Sequence, residues 1–192
     1  MSEKKLQTKD LIMAGVFAVL YVGLICVLAS VTGMVIPVYL VLPLIAGIVL
    51  GPIYTLYITK VPKMGSVIIL SVLAGFVMSA ASIAVLGYVV ALGVIAQIIL
   101  KVTDYSETGV RLSYAVFACS TVGPFLTLYL ARDTFLNACV QYYGQEYADA
   151  LSAVTPMWFL FVQIAIAIVG GLIGSSIGVK LNVKHFKKAG IA

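Results

Sequence analysis

Long uncharged stretches dominate the chain and predict membrane-spanning helices. Four stretches contain no Asp, Glu, Lys or Arg: residues 11–59, 64–100, 112–131 and 150–179. A spanning helix needs about 20 mostly apolar residues, because the hydrocarbon core is about 30 Å thick and each residue advances the helix by about 1.5 Å. The first two stretches can each hold two helices. The pattern therefore predicts six transmembrane helices, at about residues 11–31, 38–59, 65–82, 85–101, 111–131 and 156–179.

The basic residues predict the orientation. With the N-terminus in the cytoplasm, 11 of the 12 basic residues fall on the cytoplasmic side and only Arg132 lies outside. Cytoplasmic loops of membrane proteins are enriched in Lys and Arg, and five or seven spans would scatter these charges. We therefore expect a single transmembrane domain over residues 1–192, with cytoplasmic tails at 1–10 and 180–192.

Composition narrows the functional class. Of the 192 residues, 62% are hydrophobic and 10% charged, whereas soluble domains carry about 25% charged residues. These values exclude a soluble enzyme, a disordered segment and a nucleic-acid-binding domain. The three cysteines lack the spacing of a disulfide framework or a metal site. We therefore expect the cysteines to be small buried hydrophobic residues, and we expect no bound metal. The first apolar stretch also continues beyond the length of a cleavable signal, so we expect the protein to stay in the membrane.

The external segment 132–155 is the one long connection, and its sequence predicts an amphipathic helix. Apolar and aromatic residues recur at helical spacing, with polar residues opposite. The stripe includes Phe135, Cys139, Tyr143 and Tyr147. Such a helix is either a lid over a site or an interfacial connection, the second being the commoner arrangement.

Motifs for catalysis and energy coupling are absent from the sequence. There is no phosphate-binding GxxxxGK[ST] loop and no HExxH, and the single histidine, His185, lies in the basic tail. The predicted spans contain no acidic residue, whereas ion-driven carriers bury an ionisable group within the membrane. We expect neither an enzyme nor an autonomous active transporter, and no catalytic residue or cofactor in this chain.

Small residues mark faces where helices can approach closely. Ala14 and Ala18 share one face of the first span, and Gly170, Gly174 and Gly178 form a row on the last span. In lipid, such rows permit close backbone approach. For the glycine row we favour packing within the bundle.

Polar and aromatic residues near the external ends of the spans are candidates for a ligand site. A small organic ligand requires aromatic walls and a few aimed polar groups. For Tyr129 and Trp158 the alternative is an interfacial aromatic belt. Gln163 should lie about 10 Å inside the last span, where its amide needs a partner or a ligand. The six candidates for substrate binding are Tyr88, Tyr129, Arg132, Asn137, Trp158 and Gln163.

Several strings along the chain resemble a known family. They are the opening Lys9–Ile12 with Gly15–Tyr21, the loop Thr59–Gly65, Ala131–Asp133 and the ending Lys184–Gly190. Together these strings look like the Trep_Strep family of integral membrane proteins, and the similarity spans nearly the whole chain. That family is regarded as substrate-binding S components of energy-coupling-factor (ECF) transporters.

The resemblance implies a fold, a function and partners. It implies an all-α bundle of six transmembrane helices in the plasma membrane of a bacterium. Such a bundle captures a vitamin or vitamin precursor at the external face. Uptake is driven by a separate T component and two ATP-binding-cassette ATPases that hydrolyse ATP. Ala14 and Ala18 match the AxxxA motif through which the first helix contacts the T component.

The leading hypothesis is therefore an S component whose pocket is formed by the fourth to sixth spans and the loop after the first. The main alternative is a self-contained channel or facilitator for a small solute. An intramembrane enzyme and a ligand-free packing or regulatory subunit are further alternatives. Uptake by the purified chain alone would favour the channel. Failure to find any stabilising metabolite in a thermal-shift screen would favour the subunit without a ligand.

Overall fold

The computed structural model describes residues 6–79 and 82–182, and within them the regular structure is helical with no β-strand. Ten α-helices follow one another in these two ranges. They are α1 (Thr8–Thr32), α2 (Ile36–Leu40), α3 (Leu42–Lys60), α4 (Ser66–Met78), α5 (Ile83–Val102), α6 (Glu107–Ala118), α7 (Gly123–Leu130), α8 (Arg132–Tyr143), α9 (Gln145–Val154) and α10 (Phe159–Leu181).

Both described chain ends lie at the same end of the bundle. Lys63, after α3, forms an ion pair with Asp10 in the first turn of α1, at 2.7 Å between Nζ and Oδ2. Asn182, after α10, donates from Nδ2 to the Thr59 hydroxyl at 3.1 Å. We call this end the terminal end, and the opposite end, where α1 gives way to α2, the distal end. The charge bias predicts that the distal end faces the exterior.

The closest packing in the fold is between α3 and α10. A Cβ atom on Gly47 would lie 2.9 Å from the backbone of Gly170, and one on Gly174 would lie 2.7 Å from the carbonyl oxygen of Ile48. One on Gly51 would meet the backbone of Gly174. The glycine row of α10 therefore packs against a matching row on α3, which confirms that it serves packing within the bundle.

Aromatic side chains fill the centre of the bundle, and their hydroxyls are paired there. Tyr54 and Tyr114 pack with their ring centroids 4.9 Å apart, and both are fully buried. The Tyr114 hydroxyl donates to the carbonyl oxygen of Gly47 at 2.9 Å. Ser113 donates its proton to the Ala96 carbonyl, so the Tyr54 hydroxyl is the donor in its 2.6 Å bond to Ser113. Pairing removes the penalty for burying these hydroxyls in an apolar core.

Among the described residues, five helical stretches are long and apolar enough to cross a membrane, and one predicted span is shorter than expected. These stretches are Thr8–Thr32, Leu42–Lys60, Ile83–Val102, Glu107–Leu130 and Phe159–Leu181. In place of the span predicted at 65–82, α4 has 13 residues, or about 20 Å of helix. The multi-pass membrane architecture is confirmed, and the sixth crossing stays a prediction.

The helical stretch Glu107–Leu130 is interrupted at its middle. A 3-10 turn, Cys119–Val122, separates α6 from α7. Pro124 lies in the first turn of the second helix; because proline has no backbone N–H, it cannot continue the hydrogen-bond ladder of the first.

The segment 132–155, which we predicted to be external, forms two helices, α8 and α9, instead of the single amphipathic helix that we predicted. Gly144 separates them at φ 89° and ψ 168°, a conformation that only glycine adopts readily. At the chain ends, α1 begins at Thr8 and α10 ends at Leu181. The cytoplasmic tails at 1–10 and 180–192 stay a prediction. The basic residues Lys184, His185, Lys187 and Lys188 lie outside the described residues.

Candidate functional site

A partly enclosed cavity of about 250 Å³ lies at the distal end of the bundle. The end of α1, helix α2 and the pair α8–α9 form its walls, and we call it the distal cavity. Its lining consists of small and aromatic residues: Ala29, Ser30, Gly33, Tyr39, Phe135, Cys139, Tyr143 and Tyr147. The aromatic lining has the character expected for a small-molecule site, and the volume is just below the range of about 300–1,000 Å³ that is usual for such sites.

The aromatic stripe of the external segment forms one wall of the distal cavity. Phe135, Cys139 and Tyr143 follow one another at i, i+4 along α8, and Tyr147 continues the row on α9. The rings of Tyr143 and Tyr147 stack with centroids 4.6 Å apart, across the break at Gly144. Of our two interpretations of this segment, the lid over a site agrees with this placement.

The lid is fastened to the end of α1 by a hydrogen bond. The Tyr147 hydroxyl donates to the carbonyl oxygen of Gly33 at 2.7 Å. Gly33 also makes room for the neighbouring tyrosine, because a Cβ there would lie 3.3 Å from the Tyr143 hydroxyl oxygen. Tyr147 thus connects segments 114 residues apart in sequence.

Tyr39 closes the inner side of the cavity. It lies on α2, a five-residue helix that has proline in its first turn, where the missing N–H is tolerated. Its ring packs against Phe125 of α7 with centroids 4.7 Å apart. Phe125 lies one turn before Tyr129, so Tyr39 connects the cavity wall to the helix that carries Tyr129.

The distal cavity is electrically neutral. None of its lining side chains is Asp, Glu, Lys, Arg or His. Burial raises the pKa of the Cys139 thiol. Burial, with smaller contributions from Cys139 and Tyr143, raises the pKa of Tyr147 to about 12. Both groups therefore keep their protons at neutral pH.

Among the six residues predicted to bind substrate, Tyr129 and Gln163 are brought into direct contact. The Tyr129 hydroxyl donates to Oε1 of the fully buried Gln163 at 2.9 Å. Nε2 of Gln163 has no hydrogen-bond partner among the described residues. Since α10 begins at Phe159, Gln163 lies about 6 Å into the helix and not about 10 Å.

Arg132 and Tyr88 have partners within the fold. The Arg132 guanidinium donates to the carbonyl oxygens of Ser152 and Thr155, at 2.7 and 2.9 Å, and so ties the start of α8 to the end of α9. A cation suits the free carbonyls at a helix C-terminus. The Tyr88 hydroxyl donates to the carbonyl oxygen of Cys119 at 3.0 Å, at the break before α7. Both contacts stabilise backbone at the distal half of the bundle.

The model of a family described as a hypothetical bacterial integral membrane protein (Trep_Strep) matches residues 8–188. The chain belongs to the Trep_Strep family. Comparisons with curated proteins and with solved structures give no match. As a Trep_Strep protein, the chain is a multi-pass bacterial membrane protein.

The remaining candidates of this Trep_Strep protein lie apart from the distal cavity. Asn137 is exposed on α8. Trp158 is 62% exposed at the start of α10, with its ring packed edge-on against Phe159 at 5.9 Å between centroids. An exposed tryptophan at a helix end is typical of an interfacial aromatic belt.

Ala14 and Ala18 lie inside the bundle of the Trep_Strep protein. Ala14 has no exposed surface, and Ala18 is 6% exposed. Ala18 also lines an apolar groove of about 430 Å³ between α1 and α4. We call this the α1–α4 groove. Its other lining residues are Gly15, Val19, Val22, Gly23, Leu73, Phe76 and Val77.

Sequence reasoning missed Tyr39 and the end of α1 as parts of the site. The candidates were polar and aromatic residues near the external ends of the predicted spans, whereas the distal cavity is lined by residues of α1, α2, α8 and α9 that were not among them. The stripe from Phe135 to Tyr147 was the available signal, since a helical row of aromatics on an external segment must face something apolar.

Proposed function

We propose that this chain is a solute-binding S component of an ECF-type transporter, which captures a small organic micronutrient such as a vitamin or its precursor. The observation that carries the proposal is the distal cavity, at the end that the charge bias places outside. It is roofed by a lid of two helices and has a volume suited to a small solute.

The proposal includes partners that supply energy. The sequence has no ATP-binding loop and no acidic residue in its predicted spans, so motive force must come from elsewhere. A T component and two ATP-binding-cassette ATPases would provide it. The chain itself then needs no cofactor and performs no catalysis.

The α1–α4 groove is the surface that we assign to the T component. The groove contains Ala18, one of the two residues that match the AxxxA motif. A Cβ atom on Gly15 or Gly23 would have no atom within 4 Å, so space for an incoming helix is present beside the motif. Close approach at small residues is the usual basis of helix association in lipid.

Assembly with the energising module tests the proposal. The tagged chain is co-expressed with the T component and both ATPases of the bacterium from which it comes, and co-isolated proteins are quantified. Wild-type chain should retain all three partners. Gly23→Leu fills the α1–α4 groove and should reduce their recovery about tenfold, since losing about 1.4 kcal/mol of association energy has that effect.

The control is Gly87→Leu on α5, where a Cβ also meets no atom within 4 Å. This variant should assemble as the wild type does. Tryptophan at Ala14 or Ala18 is unsuitable as a test, because both side chains are buried and overpacking would disturb the fold. Absence of all three partners from wild-type preparations would refute the assignment as an S component.

A further inference from the structure

We propose that the distal cavity binds a flat, uncharged ring compound that carries hydrogen-bond acceptors. This inference rests on the proposed function, whose binding site it makes chemically specific. It concerns three properties of the solute: its shape, its charge and the polarity of its edge.

The shape follows from the aromatic lining. Four of the eight lining residues are aromatic: Tyr39, Phe135, Tyr143 and Tyr147. Tyr143 and Tyr147 are already stacked on each other, at 26° between their planes. Aromatic faces gain additional stabilisation from a second flat π-system that an aliphatic group of equal area does not provide. At about 250 Å³ the cavity is small for a drug-sized ligand, which limits the solute to one or two fused rings.

That the solute is uncharged follows from the residues in and around the cavity. Its lining side chains include no ionised group, and the nearest cation on the lid, Arg132, is bound to the end of α9. Asp149 on α9 accepts a hydrogen bond from Gln145 at 2.9 Å, on the exposed surface of the lid. A net charge placed in the cavity would lose hydration without gaining a counter-charge.

The hydrogen-bond acceptors of the solute follow from the tyrosine hydroxyls that line the cavity. Within the residues that the structure describes, the hydroxyls of Tyr39 and Tyr143 make no hydrogen bond, whereas Tyr147 is bound to Gly33. Two tyrosine donors that face a small cavity match a carbonyl oxygen or a ring nitrogen at the edge of a solute. Ser30 already donates to the Cys26 carbonyl, so its hydroxyl offers a lone pair to any N–H of the ring.

Three matched probes separate shape from charge. Benzamide is flat and uncharged, benzoate is flat and anionic, and cyclohexanecarboxamide is uncharged but lacks the π-system. Binding of each to the purified full-length chain in detergent is measured by saturation-transfer NMR and by titration. Benzamide should bind. Cyclohexanecarboxamide should bind about fivefold more weakly, which corresponds to the preference of one aromatic contact. Benzoate should also bind more weakly, because its charge loses hydration in the cavity without gaining a counter-charge.

Variants locate the binding. Tyr143→Ala and Phe135→Ala should each weaken benzamide binding about fivefold. Tyr142→Ala is the matched control, because Tyr142 is 81% exposed on the same helix and does not line the cavity. Tyr143 is itself 50% exposed, so its truncation should leave the fold intact, as a melting curve of each variant will show.

Each outcome has a defined meaning. Equal binding of the three probes, no binding of benzamide, or an equal loss in Tyr142→Ala would overturn the proposal of a flat, uncharged ring. The assembly experiment reports on the transporter independently, because the α1–α4 groove and the distal cavity share no lining residue. If the chain assembles with the partners but does not bind benzamide, the proposed function stands and the inference about the solute is wrong.

Discussion

At the scale of single residues, the distal end of the molecule combines burial with hydrogen-bonding groups that stay protonated. Tyr147 shows this most clearly. Its hydroxyl fastens the lid to Gly33, and with a pKa raised to about 12 it remains a donor throughout the physiological range. The contact should therefore be insensitive to pH until well into the alkaline region, where loss of the proton would remove it.

Cys139 provides a residue-scale prediction. Its thiol lines the cavity and is 7% exposed, and burial raises its pKa. Since the thiolate is the reactive form, a raised pKa leaves less of it at any given pH. In a chain with Cys26→Ser and Cys119→Ser, N-ethylmaleimide should react with Cys139 about tenfold more slowly than with an exposed cysteine at pH 8.

The reference for that rate is a cysteine on the same helix. Tyr142→Cys, added to a background that also carries Cys139→Ser, places a thiol at a position where the native side chain is 81% exposed. The rate at Cys139 should continue to increase at pH values where the rate at position 142 has levelled off. Identical rates and pH profiles would show that the Cys139 thiol is not buried and that its pKa is not raised.

Gln163 shows what could be predicted at this scale and what could not. An amide within an apolar helix had to be buried with a partner, and it is fully buried and paired with Tyr129. The partner was not predictable, because it lies on another helix, 34 residues away. Arg132 was predicted to bind substrate as a polar residue near the external end of a span, yet its guanidinium is bound to backbone carbonyls.

At the scale of helices, the contact between α3 and α10 organises the bundle. Small residues at i, i+4 on both helices allow their backbones to touch, and Tyr114 and Thr55 fill the space beside them. Glycine weakens a helix intrinsically, so a row of glycines is retained where close approach compensates for that loss.

The element-scale prediction compares two helical glycines. Gly174→Ala introduces a Cβ that would overlap the backbone of α3, whereas Gly87→Ala introduces one into open space. Gly174→Ala should destabilise the protein by about 1–3 kcal/mol through overpacking. Gly87→Ala should be neutral or stabilising, because alanine favours a helix by up to about 1 kcal/mol over glycine.

Thermal unfolding in detergent, followed by circular dichroism, checks this pair. The melting temperature of the Gly174→Ala variant should decrease, and that of the Gly87→Ala variant should not. If both variants melt together with the wild type, the α3–α10 contact is looser than the structure describes.

The helix pattern was more predictable than the helix contacts. Hydropathy located α1, α3, α5 and α10 because a spanning helix requires a long uncharged run. Hydropathy did not predict the break at Pro124 or the separation of α8 from α9 at Gly144, although proline and glycine are common helix breakers. The partner of the α10 glycine row was visible as Gly47 and Gly51 at i, i+4, but pairing two rows requires knowledge of which helices are neighbours.

At the scale of the whole molecule, the two ends of the bundle have different characters. The terminal end carries the Asp10–Lys63 ion pair, and the distal end carries a neutral aromatic cavity beneath a helical lid. Between them, the buried rings of Tyr21, Tyr54, Tyr114 and Phe117 fill the centre. A channel needs an open polar path through the bundle. The filled centre therefore favours a subunit that binds a solute and moves together with it.

The central claim is that the chain binds a solute but cannot move it without partners. The most direct test uses sealed proteoliposomes and the small molecule that heat releases from the purified chain. We predict that this compound accumulates above its external concentration only when the T component, both ATPases and ATP are present. Vesicles that contain the chain alone should take up no more than protein-free vesicles. Accumulation or rapid equilibration by the chain alone would contradict the account.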